Sequence, residues 1–278
     1  MLLTEAKRDP RHLVVVDPPH PGPLDLGAIA RELQTLPADA QALVTAGLPT
    51  ACQLAADRAM AEAAIARLAC AGLRCASVTL DGLRGVPVPE QAHQISVDGE
   101  GISWSTTQGT EGTLRWRQLR TALVLDLAGE PRRSRAEAVR PASGGWKGDL
   151  ARGISGALAT AATGVRVGTS ARYALEVGGA TTRGPRRARL PMERLISTRL
   201  DAAVPTVHGK WLALLQLVAE RAPDVAIDRR AAGARAGLAP RAASRAQLGG
   251  LPEAERAVLS SPLEFFAAYA CALAGIGI

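Results

Sequence analysis

An α+β fold is predicted by three features of the sequence. A short β-branched run near the N-terminus is followed by helical periodicity and then by a second apolar strand. Beyond a Pro/Gly hinge at Leu83–Glu90 the apolar period changes to two, and it returns to helical spacing in the last quarter of the chain. These changes divide the 278 residues into an αβ module over 12–82 (order β-α-α-α-β), a strand-rich region over 91–200 and a helical part over 205–278.

Leu13 to Val16 reads as a strand, ended by Asp17, Pro18 and Pro19, which cannot continue a ladder or a helix. Leu26, Ile29, Leu33 and Leu36 then recur at helical spacing, with Asp25 at the start and Pro37 as the stop. A brief second helix covers Ala38 to Ala46, with Gly47 suited to a left-handed C-cap. Leu48 to Ala56 reads as a link. Asp57 is the N-cap of a third helix whose apolar face is Met60, Ala61, Ala64, Ile65 and Leu68, and Gly72 releases the chain into the strand LRCASVTL. Past the hinge, HQISVDGEGISWST, GTLRWRQLRTALVLDLAGE, ARYALEVGG and RRARLPMERLIS read as short strands separated by glycine turns. Residues 130–170 read as an inserted flexible segment with a short helix from Asp149 to Ala162. Val207, Trp211, Leu214, Leu215 and Val218 share one helix face that Pro223 terminates, and residues 228–250 read as a mobile connector. The final helix has Ser261 as N-cap, Pro262 in its first position and Glu264 as capping-box partner.

The order of the first module and the ending of its third helix (Ala61, Ala64, Ile65, Leu68, Ala71, Gly72) resemble the small αβ modules of the protease adaptor ClpS and of the ribosomal stalk protein's C-terminal domain. That resemblance covers about a quarter of the chain and implies a docking role. No Asn/Asp/His set matches the adaptor's substrate pocket, and the lysines that the stalk domain presents to its partners are missing, so neither recognition mode is carried over. In the middle region, Trp104, Leu114, Trp116 and the run Ala122 to Leu127 resemble the first half of a bacterial PH-like barrel. No ligand residue is implied by that likeness. Taken whole, the chain resembles multi-part bacterial proteins that join such a module to a strand-rich region.

Charge is unevenly distributed: residues 1–130 carry a net −4 and residues 131–278 a net +11. Nearly all the positive charge is arginine, whose planar forks match phosphate and carboxylate oxygens. Arg183, Arg186, Arg187 and Arg189 form one cluster and Arg132, Arg133 and Arg135 another, which marks a possible polyanion contact. Aromatic residues make up only 3% of the chain, too few for a base-stacking platform. The first residues lack a continuous apolar signal region and the four cysteines form no CxxC pair, so a cytoplasmic location is expected. Phe265 to Ile278 carries no charge, yet it is shorter than the roughly 20 residues of a bilayer span. A buried terminal helix with no membrane span is predicted.

No reactive constellation is legible. GGWKGD lacks the hydroxyl that follows a phosphate-loop lysine, and no GxGxxG follows a strand. Cys52, Cys70 and Cys75 have no histidine near enough to complete zinc spacing, and the four histidines stand apart from any nucleophile motif. Asp224 and Asp228 flank a helix stop, where carboxylates are usually solvated. These readings assign no catalytic, cofactor-binding or metal residue. They lead to a non-catalytic protein-interaction or scaffold protein with a protein partner; the alternative is an arginine-mediated nucleic-acid binder without sequence readout.

Overall fold

A computed structural model describes residues 11–45, 47–127, 173–197, 200, 204–233 and 261–276. The fold is α+β. Its organising element is the last helix, which lies between two sheets.

The first sheet has β1 (His12–Val16) at its centre, flanked by β2 (Thr50–Ala55) and β3 (Cys75–Thr79), both antiparallel to it. All five β1 residues are buried because both faces of the sheet are covered. Val14 and Val16 pack toward α1 (Leu26–Leu33), α2 (Pro37–Thr45) and α3 (Arg58–Cys70), while Leu13 and Val15 point to the opposite face. The expected caps form: Asp25 accepts from the Ala28 N–H at 2.9 Å and Asp57 from the Met60 N–H at 2.8 Å. Gly47 and Gly72 take φ of +71° and +91°. A side chain at Gly72 would meet the Pro23 carbonyl, so the turn out of α3 depends on glycine.

Two sequence expectations are corrected here. Leu48–Ala56 contains the strand β2, so the module runs β-α-α-β-α-β; apolar and polar residues are mixed in TACQLA because it is an edge strand. The start of the Leu83–Glu90 hinge belongs to a short helix, α4 (Leu80–Gly85), capped by Thr79. Along α3, Ala61, Ala64 and Leu68 are buried as expected, whereas Met60 is exposed.

The middle region forms two further sheets. In one, β5 (Gln94–Val97), β6 (Gly101–Ser105) and β7 (Glu111–Arg115) make an antiparallel meander. The other places β8 (Leu119–Asp126), β9 (Tyr173–Thr181) and β10 (Gly184–Pro191) side by side, with the two-residue strands β4 (Glu90–Gln91) and β11 (Ile227–Asp228) at its edges. Among the described residues no ladder joins the two sheets. Their facing sides share a core that includes Ile102, Trp104, Leu114, Trp116, Leu175 and Val177. Helix α5 (Val207–Arg221) closes this core with Trp211, Leu214, Leu215 and Val218, the face its periodicity predicts. The insertion at 130–170, including the expected helix at 149–162, lies outside the described residues, as does most of the 228–250 connector. The connector's first residues are ordered: β11 is followed by α6 (Arg230–Gly233).

Apart from Glu264, helix α7 (Pro262–Leu273) carries no charge, because two of its sides meet sheets. Phe265 and Tyr269 join Leu13, Val15, Ala51 and Val78 of the first sheet. Leu263, Phe266 and Ala267 join Leu123 and Leu125 of β8. This accounts for the uncharged tail, and no helix among the described residues is long and apolar enough to cross a membrane. Ser261 caps α7 through the Glu264 N–H at 3.4 Å. The Glu264 carboxylate reaches the second sheet, 2.8 Å from Arg189 Nη1 and 3.4 Å from Arg187 Nη2. Behind it, Glu176 accepts from Arg187 Nε and, at 2.8 Å, from Arg189 Nε. Arg230 adds a second tie: it donates to the Pro18 carbonyl at 2.8 Å, pairs with Asp17 and Asp228, and lies 5.3 Å over the Phe266 ring.

Replacing Glu176 with alanine leaves two buried guanidiniums short of a counter-charge, so urea unfolding should show a loss of about 3–5 kcal/mol. Tyr269 is 1% exposed and its hydroxyl has no hydrogen-bond partner among the described residues. Tyr269→Phe is therefore expected to be neutral or stabilising by about 1 kcal/mol in the same assay, whereas Phe266→Ala should cost about 3–5 kcal/mol.

Candidate functional site: an arginine-lined cleft

A cleft of about 540 Å3 opens beside the core of the middle region. Its walls are the β5–β6 turn, the 3-10 turn Trp116–Gln118 with the start of β8, and the segment that follows α5. Side-chain alternation explains which residues reach it. In the run Leu114 to Arg120, Leu114, Trp116 and Leu119 are buried, which turns Arg115, Arg117 and Arg120 outward.

Local bonding holds this geometry. The Trp116 indole N–H donates to the Asp98 carbonyl at 3.1 Å, and the Trp116 backbone N–H donates to the Glu100 carbonyl at 3.0 Å. Asp98 in turn accepts from the Glu100 and Gly101 N–H groups at 2.8 and 3.0 Å, which sets the turn. The β8–β9 register shifts between Leu119 and Thr121, so Arg120 is the extra residue of a bulge that aims it away from the ladder. Gly179 lies opposite: a Cβ there would fall 2.3 Å from the Gln118 carbonyl oxygen, so the 3-10 turn can approach β9 only over a glycine. Arg221, the last residue of α5, completes the cationic lining at the helix end whose dipole favours positive charge.

Arg115, Arg117, Arg120 and Arg221 are all exposed, and none forms an ion pair among the described residues. Among the described residues Arg120 makes only long 3.4 Å contacts, to the Arg117 and Leu119 carbonyls. Glu100 and Asp224 line the same cleft, so four positive charges face two negative ones. This arrangement suits an anion. Among the described residues it offers guanidinium forks but no histidine, cysteine or serine in its lining.

The arginines singled out from the sequence sit elsewhere and do not act together. Arg183 is exposed at the β9–β10 turn. Arg186 is half-buried, 5.9 Å over the Trp104 ring, 3.6 Å from Glu90 and hydrogen-bonded to the Glu111 carbonyl. Arg187 and Arg189 are each only 4% exposed and held by Glu176 and Glu264, which corrects the expectation that they meet a polyanion. The pleat is the reason: Ala188 and Leu190 face the inner core, so both arginines face α7. Arg132, Arg133 and Arg135 lie outside the described residues. Sequence reading overlooked the interleaving of apolar residues (Leu114, Trp116, Leu119) with arginines (Arg115, Arg117, Arg120), a signal that could have located the cleft.

The cysteines behave as packing residues. Cys52 and Cys271 are buried, Cys75 is half-buried and Cys70 exposed. Burial pushes the Cys75 thiol up to about 12 and the Cys271 thiol to about 11, and it raises Cys52 as well. Among the described residues no three His, Cys, Asp or Glu side chains converge as a metal site requires. No family model, curated protein or solved structure matches the chain.

Native-state alkylation followed by mass spectrometry should label Cys70 first, with Cys75 reacting at neutral pH far more slowly than its partial exposure suggests. Because the Cys75 and Cys271 pKa values are raised by folding, their contribution to stability is complete below the ordinary thiol value of 9.0 and is lost as pH rises toward about 11 and 12. Urea midpoints measured across that range should fall, and the Cys75→Ser/Cys271→Ser variant should fall less.

Proposed function

We propose that this is a non-catalytic interaction protein whose working surface is the arginine-lined cleft, with an anionic partner held by Arg115, Arg117, Arg120 and Arg221. One observation carries this reading: four exposed guanidiniums without carboxylate partners among the described residues line a single cleft, while Arg187, Arg189 and Arg230 are committed to ion pairs inside the fold. A net positive charge in a concave site focuses its field, favouring capture of an anion. A cytoplasmic setting, supported by four cysteines outside any disulfide, belongs to the same reading.

Fluorescence anisotropy with labelled polyglutamate tests the proposal. Binding should weaken by at least about tenfold in Arg117→Ala/Arg120→Ala and should fall steeply between about 50 and 200 mM salt, as charge-driven contacts do. Arg58→Ala, on α3 of the first module, should change affinity by less than about twofold, since an exposed charge outside the cleft contributes little. Equal binding by the wild type and the double variant would overturn the assignment of the cleft.

A further inference from the structure

Which anion the cleft takes follows from its size, its own carboxylates and its one aromatic residue. Resting on the reading of the cleft as the working surface, we infer that its ligand is a short acidic segment of a partner protein, two or three carboxylates in succession, and not a nucleic-acid strand.

Volume is the first argument. About 540 Å3 lies within the roughly 300–1,000 Å3 of compact ligand sites, enough for a few peptide side chains. Single-strand binders instead track a groove of about 4–16 nucleotides, whereas among the described residues the cationic lining here is a group of four. Charge is the second. Glu100 and Asp224 reduce the four arginines to a net of two positive charges, which neutralises two or three carboxylates and leaves most of the charge of a longer polyphosphate uncompensated. Stacking is the third. Trp116, the sole aromatic residue lining the cleft among the described residues, is 7% exposed with its indole N–H bound to the Asp98 carbonyl, so it presents no ring face to a base. Arginine forks, by contrast, meet carboxylates in parallel pairs of hydrogen bonds that a short acidic run can supply repeatedly.

Competition in one anisotropy assay on the full chain separates the possibilities. The probe is a labelled peptide of about four glutamates; the competitors are an oligo-dT of about twelve nucleotides, a length within the single-strand range, and inorganic pyrophosphate. The peptide should bind, lose at least about tenfold in Arg117→Ala/Arg120→Ala, and be displaced by oligo-dT only at higher concentration than by unlabelled peptide. A charge-reversed Arg117→Glu/Arg120→Glu chain should lose the glutamate peptide and gain a tetralysine one, a result that general misfolding would not produce. Arginine-dependent binding that prefers oligo-dT or pyrophosphate would overturn the acidic-peptide inference while leaving the cleft as the working surface. Binding of every probe unchanged by the substitutions, or binding of none, would remove both.

Discussion

Helix α7 holds the molecule together by being buried on two sides at once. Its Phe265–Tyr269 side rests on the first sheet and its Leu263–Phe266–Ala267 side on β8, so removing it would expose both sheet faces to water. Glu264 fixes its seat. A carboxylate on an otherwise apolar helix would be costly to bury alone, but Arg187 and Arg189 come to it from β10 with Glu176 behind them, and the four charges cancel. Two arginines in the middle of a strand are thereby explained by what covers them.

The same commitment of charge inside the fold isolates the surface that remains. Arg230 is bound by Asp17 and Asp228, Arg74 by Asp17 at 2.9 Å, and Arg186 by Glu90 and the Trp104 ring. The four arginines of the cleft take part in none of these pairs among the described residues; Trp116 and the Arg120 bulge position them beside the middle region's core. Arginines thus serve both the ion pairs inside the fold and the lining of the cleft. Composition alone does not separate them.

Much of the local structure was legible. The β1 stop at Pro18, the caps at Asp25, Asp57 and Ser261, the left-handed glycines at 47 and 72 and the buried face of α5 all rest on interactions within a few residues, which sequence encodes directly. β2 was not legible, since its partner β1 lies far away in the chain and TACQLA carries no clean alternation. Nor was the burial of Arg187 and Arg189, because the helix that covers them is 75 or more residues downstream. The cleft was only half legible: the pattern Leu114, Trp116, Leu119 against Arg115, Arg117, Arg120 lies in the sequence, but Arg221 joins it through tertiary packing.

By itself the sequence determined the α+β class, the order of most elements and the apolar character of the terminal helix, since these follow from periodicity, capping and turn chemistry acting over one or two turns of chain. Tertiary structure alone decided which arginines face solvent and which face Glu176 and Glu264. An arginine on a strand points to one of two faces, and what waits at that face is supplied by a distant part of the chain.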